Sequence, residues 1–103
     1  MSRGQEHTTW TFLTNHAQVL LGIAQNPDVR LRDLAVHVGI TERAAQRIVV
    51  DLVDAGYVKR LRVGRRNHYL INPKAEMRHA AQQGYPVGQL LSLLPIEDSV
   101  QTA

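Results

Sequence analysis

Apolar positions repeat with a helical period through the first half of the chain and with a strand period after Gly56. Over residues 12–25, Leu13, Ala17, Leu20, Leu21 and Ala24 fall on one stripe at about 100° per residue. Phe12, Val19 and Ile23 form a second stripe about 120° away. Thr14, Asn15, Gln18, Gly22 and Gln25 fill the remaining arc, and Asn26-Pro27 closes the helix. A helix apolar over more than half its circumference must cover two surfaces. One is its own core; the other is the C-terminal segment or a second subunit. Val29-Arg30-Leu31 reads as a short extended connection. Leu31, Leu34, Ala35 and Val38 then recur at i, i+3, i+4 and i+7, predicting a short amphipathic helix. Gly39 suits a left-handed C-terminal turn, Ile40 a plug into the core, and Thr41 an N-cap. A third helix runs to about residue 55, with Ala45, Ile48, Leu52 and Ala55 as its buried stripe, flanked by Val49, and Gly56 at its end.

Residues 57–62 and 68–72 read as two strands around a loop at 63–67, where Gly64 and Asn67 tolerate positive φ. Tyr57 and Tyr69 are expected to pack on the sheet. Pro73 stops the second strand. Residues 74–84 are poorly patterned, with a loose helix over 75–83 as one option. From Pro86, the residues Val87, Leu90, Leu91 and Leu94 return to helical spacing, and Pro95 ends that helix. The expected organisation is a flexible stretch at 1–9, one domain over 10–73, an extension with a helix over 74–95, and a tail at 96–103. The fold class is mainly α with a small β-hairpin: a three-helix core, a wing and an additional C-terminal helix.

Composition narrows the functions. At 103 residues the chain fits one domain. The absence of cysteine excludes disulfides, thiolate metal sites and thiol catalysis, and fits a reducing cytoplasm. No apolar run approaches the roughly 18 residues of a membrane span, and the first residues lack the apolar stretch of a secretory signal. A soluble cytoplasmic protein without a membrane partner is expected. The net charge of +3 is unevenly placed. Residues 30–72 carry nine basic and four acidic side chains, while each flank is net negative. Lys59, Arg60, Arg62, Arg65 and Arg66 crowd the predicted hairpin with no acid among them. Alone, such a cluster is either a solvated hairpin or a patch for a polyanion.

The order helix, short extended segment, helix, Gly turn, helix and basic hairpin is that of a winged helix-turn-helix. Leu34-Ala35, Val38-Gly39-Ile40-Thr41, Gln46-Arg47-Ile48, Leu52 and Ala55-Gly56-Tyr57-Val58 resemble the winged helices of MarR-like and ArsR-like prokaryotic regulators. With the hairpin, the resemblance covers roughly residues 10–73. One departure is at the start of the second helix. The usual capping Ser or Thr three residues before an acid is replaced by Arg30 before Asp33, at a cost of about 1 kcal/mol or in exchange for a phosphate contact.

The chemistry of DNA reading fits this spacing. The third helix must show one face to the core and the other to the major groove. Its outward N-terminal residues are Thr41, Glu42, Arg43, Ala44, Gln46 and Arg47. Arginine pairs with guanine O6 and N7, glutamine with adenine, and the alanine methyl meets a thymine methyl. Asp51 and Asp54, farther along, are repelled by phosphates, which suits end-on insertion. Arg65 and Arg66 are placed to enter a minor groove, and Lys59, Arg60, Arg62, Arg30 and Arg32 to bind phosphates.

The expected function is sequence-specific binding of double-stranded DNA by a homodimeric transcriptional regulator, a repressor by preference. Its interface would use Phe12, Val19, Ile23, Val87, Leu90, Leu91 and Leu94. The alternatives are a winged helix that docks proteins without specific DNA binding, and one that binds RNA. A protein-docking version has no need of the five cations on the hairpin or of the polar third helix. The five histidines, His7, His16, His37, His68 and His79, show no i, i+4 metal spacing, and no cofactor is expected. His16 reads as a packed or interface histidine. No phosphate loop, nucleophile motif or paired-carboxylate arrangement suggests an enzyme. The residues do not name an effector.

Overall fold

The computed structural model describes residues 10–93. Its elements are α1 (Asn15–Gln25), α2 (Leu31–Val38), α3 (Glu42–Asp54), β1 (Val58–Val63), β2 (Arg66–Ile71), a 3-10 turn (Ala80–Gln82) and α4 (Val87–Ser92). Helices and an antiparallel hairpin in this order make a winged helix. The flexible stretch expected at 1–9, the tail expected at 96–103 and the interface residue Leu94 lie outside the described residues.

α1 begins later than its apolar spacing predicts. Thr14 Oγ1 accepts a hydrogen bond from the Ala17 amide at 3.1 Å, which caps the helix and leaves Phe12 ahead of it, 90% exposed. Both stripes of α1 then go into one core. Val19 and Ile23 are fully buried beside Leu20 and Leu21. Their assignment to a subunit interface is therefore corrected: they have no surface left for a partner. Gly22, placed on the polar arc by periodicity, is buried because α2 crosses α1 there. A Cβ at Gly22 would sit 2.7 Å from Leu34 Cδ1.

α2 starts at Arg30, whose side chain makes no capping bond. It ends where Gly39 adopts φ +88°, so that the Gly39 and Ile40 amides both donate to the Ala35 carbonyl. The extended segment expected at 29–31 is confined to Val29 and Arg30, since Leu31 is already helical. Thr41 caps α3 through Oγ1, which accepts from the Ala44 amide at 3.0 Å. Ala45, Ile48, Val49 and Leu52 are buried. Ala55, expected on that stripe, is exposed. The helix ends at Asp54, and Gly56 at φ +87° turns the chain so that the Tyr57 amide bonds the Leu52 carbonyl.

The hairpin is longer and its turn tighter than the sequence suggests. Strand pairing runs from Val58↔Ile71 to Val63↔Arg66, so the five-residue loop shrinks to Gly64-Arg65, with Gly64 at φ +63°. Tyr57, Val58 and Tyr69 bury the base of the hairpin in the core, as expected of the tyrosines. The Tyr69 amide also donates to the Pro27 carbonyl at 2.9 Å, which ties β2 to the α1–α2 loop.

Residues 73–88 return along the body as a strap rather than as a loose helix over 75–83. The Tyr57 hydroxyl donates to the Glu76 carbonyl, Met77 N–H to the Tyr85 carbonyl, Val87 N–H to the Ala75 carbonyl and Gly88 N–H to the Pro73 carbonyl. This seats α4. Val87 is buried in the core and Leu91 is half-buried against it, so Val87 too is corrected from interface to core. Gly88 meets Pro73 closely: a Cβ there would lie 2.9 Å from both the Pro73 Cβ and its carbonyl oxygen. Gly88→Ala should therefore lift α4 from the core and lower stability by about 1–3 kcal/mol in urea unfolding. An unchanged midpoint would show that α4 does not need this close approach.

Candidate nucleic-acid interface

Burial of Ala45, Ile48, Val49 and Leu52 fixes the rotation of α3, and with it the opposite face. Glu42, Arg43, Gln46, Arg47, Val50, Asp51 and Asp54 are exposed. Arg43, Gln46, Arg47 and Val50 are related by three- and four-residue steps and form one continuous face. Thr41 is exposed with its oxygen engaged in the cap, and Ala44 is half-buried beside it. Val50, 37% exposed, is absent from the residues singled out in the sequence. Its spacing from Gln46 and Arg47 was the available signal. As a valine it reads as core until the helix rotation is known.

The acidic end of α3 is partly engaged within the protein. His16 Nε2 lies 2.8 Å from Asp51 Oδ2, both side chains about half exposed. His16 is thus an exposed partner of α3, not a packed histidine, and it ties the start of α1 to the far end of the exposed α3 face.

The register of the hairpin sorts its cations. Arg60 and Arg62 alternate with Val58 on β1 and oppose Tyr69 and Asn67, so they continue the core-facing side of the wing outward. Lys59 and Arg66 belong to the other side, with Leu61, Val63 and Leu70, all three of which are exposed. Arg65 occupies the turn and is exposed. Arg62 Nε donates to the Gly64 carbonyl at 3.3 Å, which folds it along the turn. Arg66 is held differently: its Nη2 donates to the Asp28 backbone carbonyl at 2.9 Å. Arg30, Arg65, Arg66 and Asn67 line one concavity between the start of α2 and the wing. Arg32 is exposed on the first turn of α2. Among the described residues, no arginine or lysine has a carboxylate within ion-pair distance, and the close carboxylate contacts join aspartate to histidine.

Such an arrangement can do two things chemically. The α3 face offers two guanidinium groups, a carboxamide and a branched apolar side chain at base-reading spacing. The wing and the start of α2 offer cations for phosphates. Among the described residues, no group of three or more His, Cys, Asp or Glu is placed to hold a metal ion. No helix of the described residues is long and apolar enough to cross a membrane.

A sequence model described as MarR family matches residues 11–66, which spans α1 to the start of β2. No curated protein matches the chain.

The cap at Thr41 sets where α3, and with it its exposed face, starts. Thr41→Ala should cost about 1 kcal/mol of stability in urea unfolding, because the Ala44 amide loses its side-chain acceptor. Thr41→Ser should restore most of it.

Proposed function

The chain belongs to the MarR family of DNA-binding transcriptional regulators, and from that premise we propose that it reads double-stranded DNA sequence-specifically as a homodimer and represses transcription in the cytoplasm. The observation that carries this reading is the outward face of α3. Arg43, Gln46 and Arg47 stand together on it without a carboxylate partner among the described residues. Val50 extends the face by a turn and supplies an apolar contact for a thymine methyl. Thr41, Glu42 and Ala44 border it at the end that enters the groove. Arg65 reaches from the wing tip toward a minor groove, with Lys59, Arg60, Arg62 and Arg66 along the hairpin and Arg30 and Arg32 on α2 for the backbone. Occupancy of a promoter by such a unit blocks a polymerase sterically, which is why repression is the proposed direction.

The dimer uses surface that the fold leaves uncovered. Phe12 is 90% exposed and stacks edge-on against Trp10, with ring centroids 5.2 Å apart. Leu93 is 75% exposed at the end of α4, and Leu90 is half-buried. Phe12 and Leu90 border one groove, together with Leu13, Ala17, Leu20 and Met77. Apolar surface of this kind marks an interface. Two recognition helices related by a twofold axis would read half-sites about one helical turn apart.

Selection of bound duplexes from random DNA tests the reading and should return a palindrome. Arg43→Ala and Arg47→Ala should each weaken binding to the selected site by about 1–3 kcal/mol and relax preference at one base pair, with stability nearly unchanged. Parent-like binding by both variants would remove α3 as the reading element.

Assembly is checked separately. Shortening the chain after Gly84 would take Val87 from the core and confound folding with association. Phe12→Glu leaves the core intact. It should convert a sedimenting dimer to monomer and reduce affinity for the full palindrome. A parent protein that sediments as a monomer at tens of micromolar would refute the dimer.

A further inference from the structure

We infer that Asp28, in the loop between α1 and α2, is a positioning residue that sets the wing for its contact with DNA. This inference rests on the reading of the wing as a DNA-contacting element. Among the described residues, every hydrogen bond that ties β2 to the helical body ends on Pro27 or Asp28. Tyr69 N–H donates to the Pro27 carbonyl at 2.9 Å. Arg66 Nη2 donates to the Asp28 carbonyl at 2.9 Å. His68 Nδ1 lies 2.6 Å from Asp28 Oδ1. An ionised carboxylate only accepts, so Nδ1 carries the proton in this contact.

The loop is itself organised to present these acceptors. Asn26 Oδ1 accepts from the Asp28 amide at 3.1 Å, and the Asn26 carbonyl accepts from the Val29 amide at 3.0 Å. Asp28 is 61% exposed by its side chain, so it is not a core residue. What it holds is the outer half of a two-stranded hairpin, an element with little stability of its own. Beyond Tyr69 the strand is no longer buried, and the Asp28 contacts are what oppose swinging of the Gly64-Arg65 tip.

The sign of the effect separates positioning from simple charge. An acid beside a phosphate-binding surface repels DNA, so its removal strengthens binding if charge is all it contributes. Removal weakens binding if the acid orients the wing.

The test measures affinity for a labelled mixed-sequence duplex across a salt series, with the full chain. Asp28→Ala should lower affinity about threefold to tenfold and make the log–log salt dependence shallower by about one unit, as one phosphate contact is lost. His68→Ala should do the same, and the double variant should be no worse than either single one. Asp28→Asn keeps an acceptor for His68 and should bind at least as well as the parent. Thermal unfolding should move little in any of these, because the contact is exposed. Asp28→Ala that binds as tightly as the parent or more tightly, at an unchanged slope, overturns the inference. Arg65→Ala separates the two readings. If it flattens the slope while Asp28→Ala does not, the wing reads DNA and the brace falls alone. If Arg65→Ala leaves affinity and slope at parent values, the wing does not touch DNA and both fall.

Discussion

The rotation of α3 about its own axis is the constraint on which the rest depends. Ala45, Ile48, Val49 and Leu52 are buried against α1 and α2, and each large side chain among them contributes about 1.5–3 kcal/mol by leaving water. Turning the helix by one residue, about 100°, would expose part of that stripe and press Arg43 or Arg47 toward the core. Burying an unpaired guanidinium is far more costly than any surface contact it gives up. Packing therefore aims the polar face without any interaction made by the polar face itself. The same logic reaches α1 and α2, which approach closely enough at Gly22 that a Cβ there would force Leu34 Cδ1 to move.

The wing depends on this core at second hand. Tyr57, Val58 and Tyr69 enter it from the base of the hairpin, and the α1–α2 loop takes hold of β2 through Pro27 and Asp28. A free hairpin carrying five cations would be expected to splay. Here its base is fixed by burial and its outer part by hydrogen bonds to a loop. α3 and the wing are thus referenced to the same two helices, so their mutual placement is a property of the fold.

The C-terminal strap changes how assembly is understood. The apolar residues after Pro73 look like a separate surface in the sequence, yet Val87 completes the core and the strap is bonded along its length at Glu76, Met77, Val87 and Gly88. What remains uncovered is scattered: Trp10, Phe12, Val36, Val63, Tyr85 and Leu93 are each more than half exposed. A family of DNA-binding regulators gives the coarse function, and the outward face of α3 that carries Arg43, Gln46 and Arg47 is consistent with it.

The sequence by itself determined the elements and their chemistry where the signal is local. The period of α2 and α3, the left-handed turn at Gly39, the cap at Thr41 and the cation-rich hairpin all depend on residues within a few positions of one another, and all are found in the structure. The outward set on α3 follows from that period too, except Ala44, which is half-buried, and Val50, whose apolar side chain hides an exposed position. Tertiary structure alone decided the rest. Whether the second stripe of α1 met a partner or its own chain turned on how α2, α3 and β2 pack around it, and periodicity carries no information about the far side of a helix. The early end of the α3 stripe at Leu52 came from the Tyr57 amide reaching back to it. Asp28 is a loop acid forty residues from His68 in the chain, and only the folded path of β2 past the α1–α2 loop brings the two within 2.6 Å.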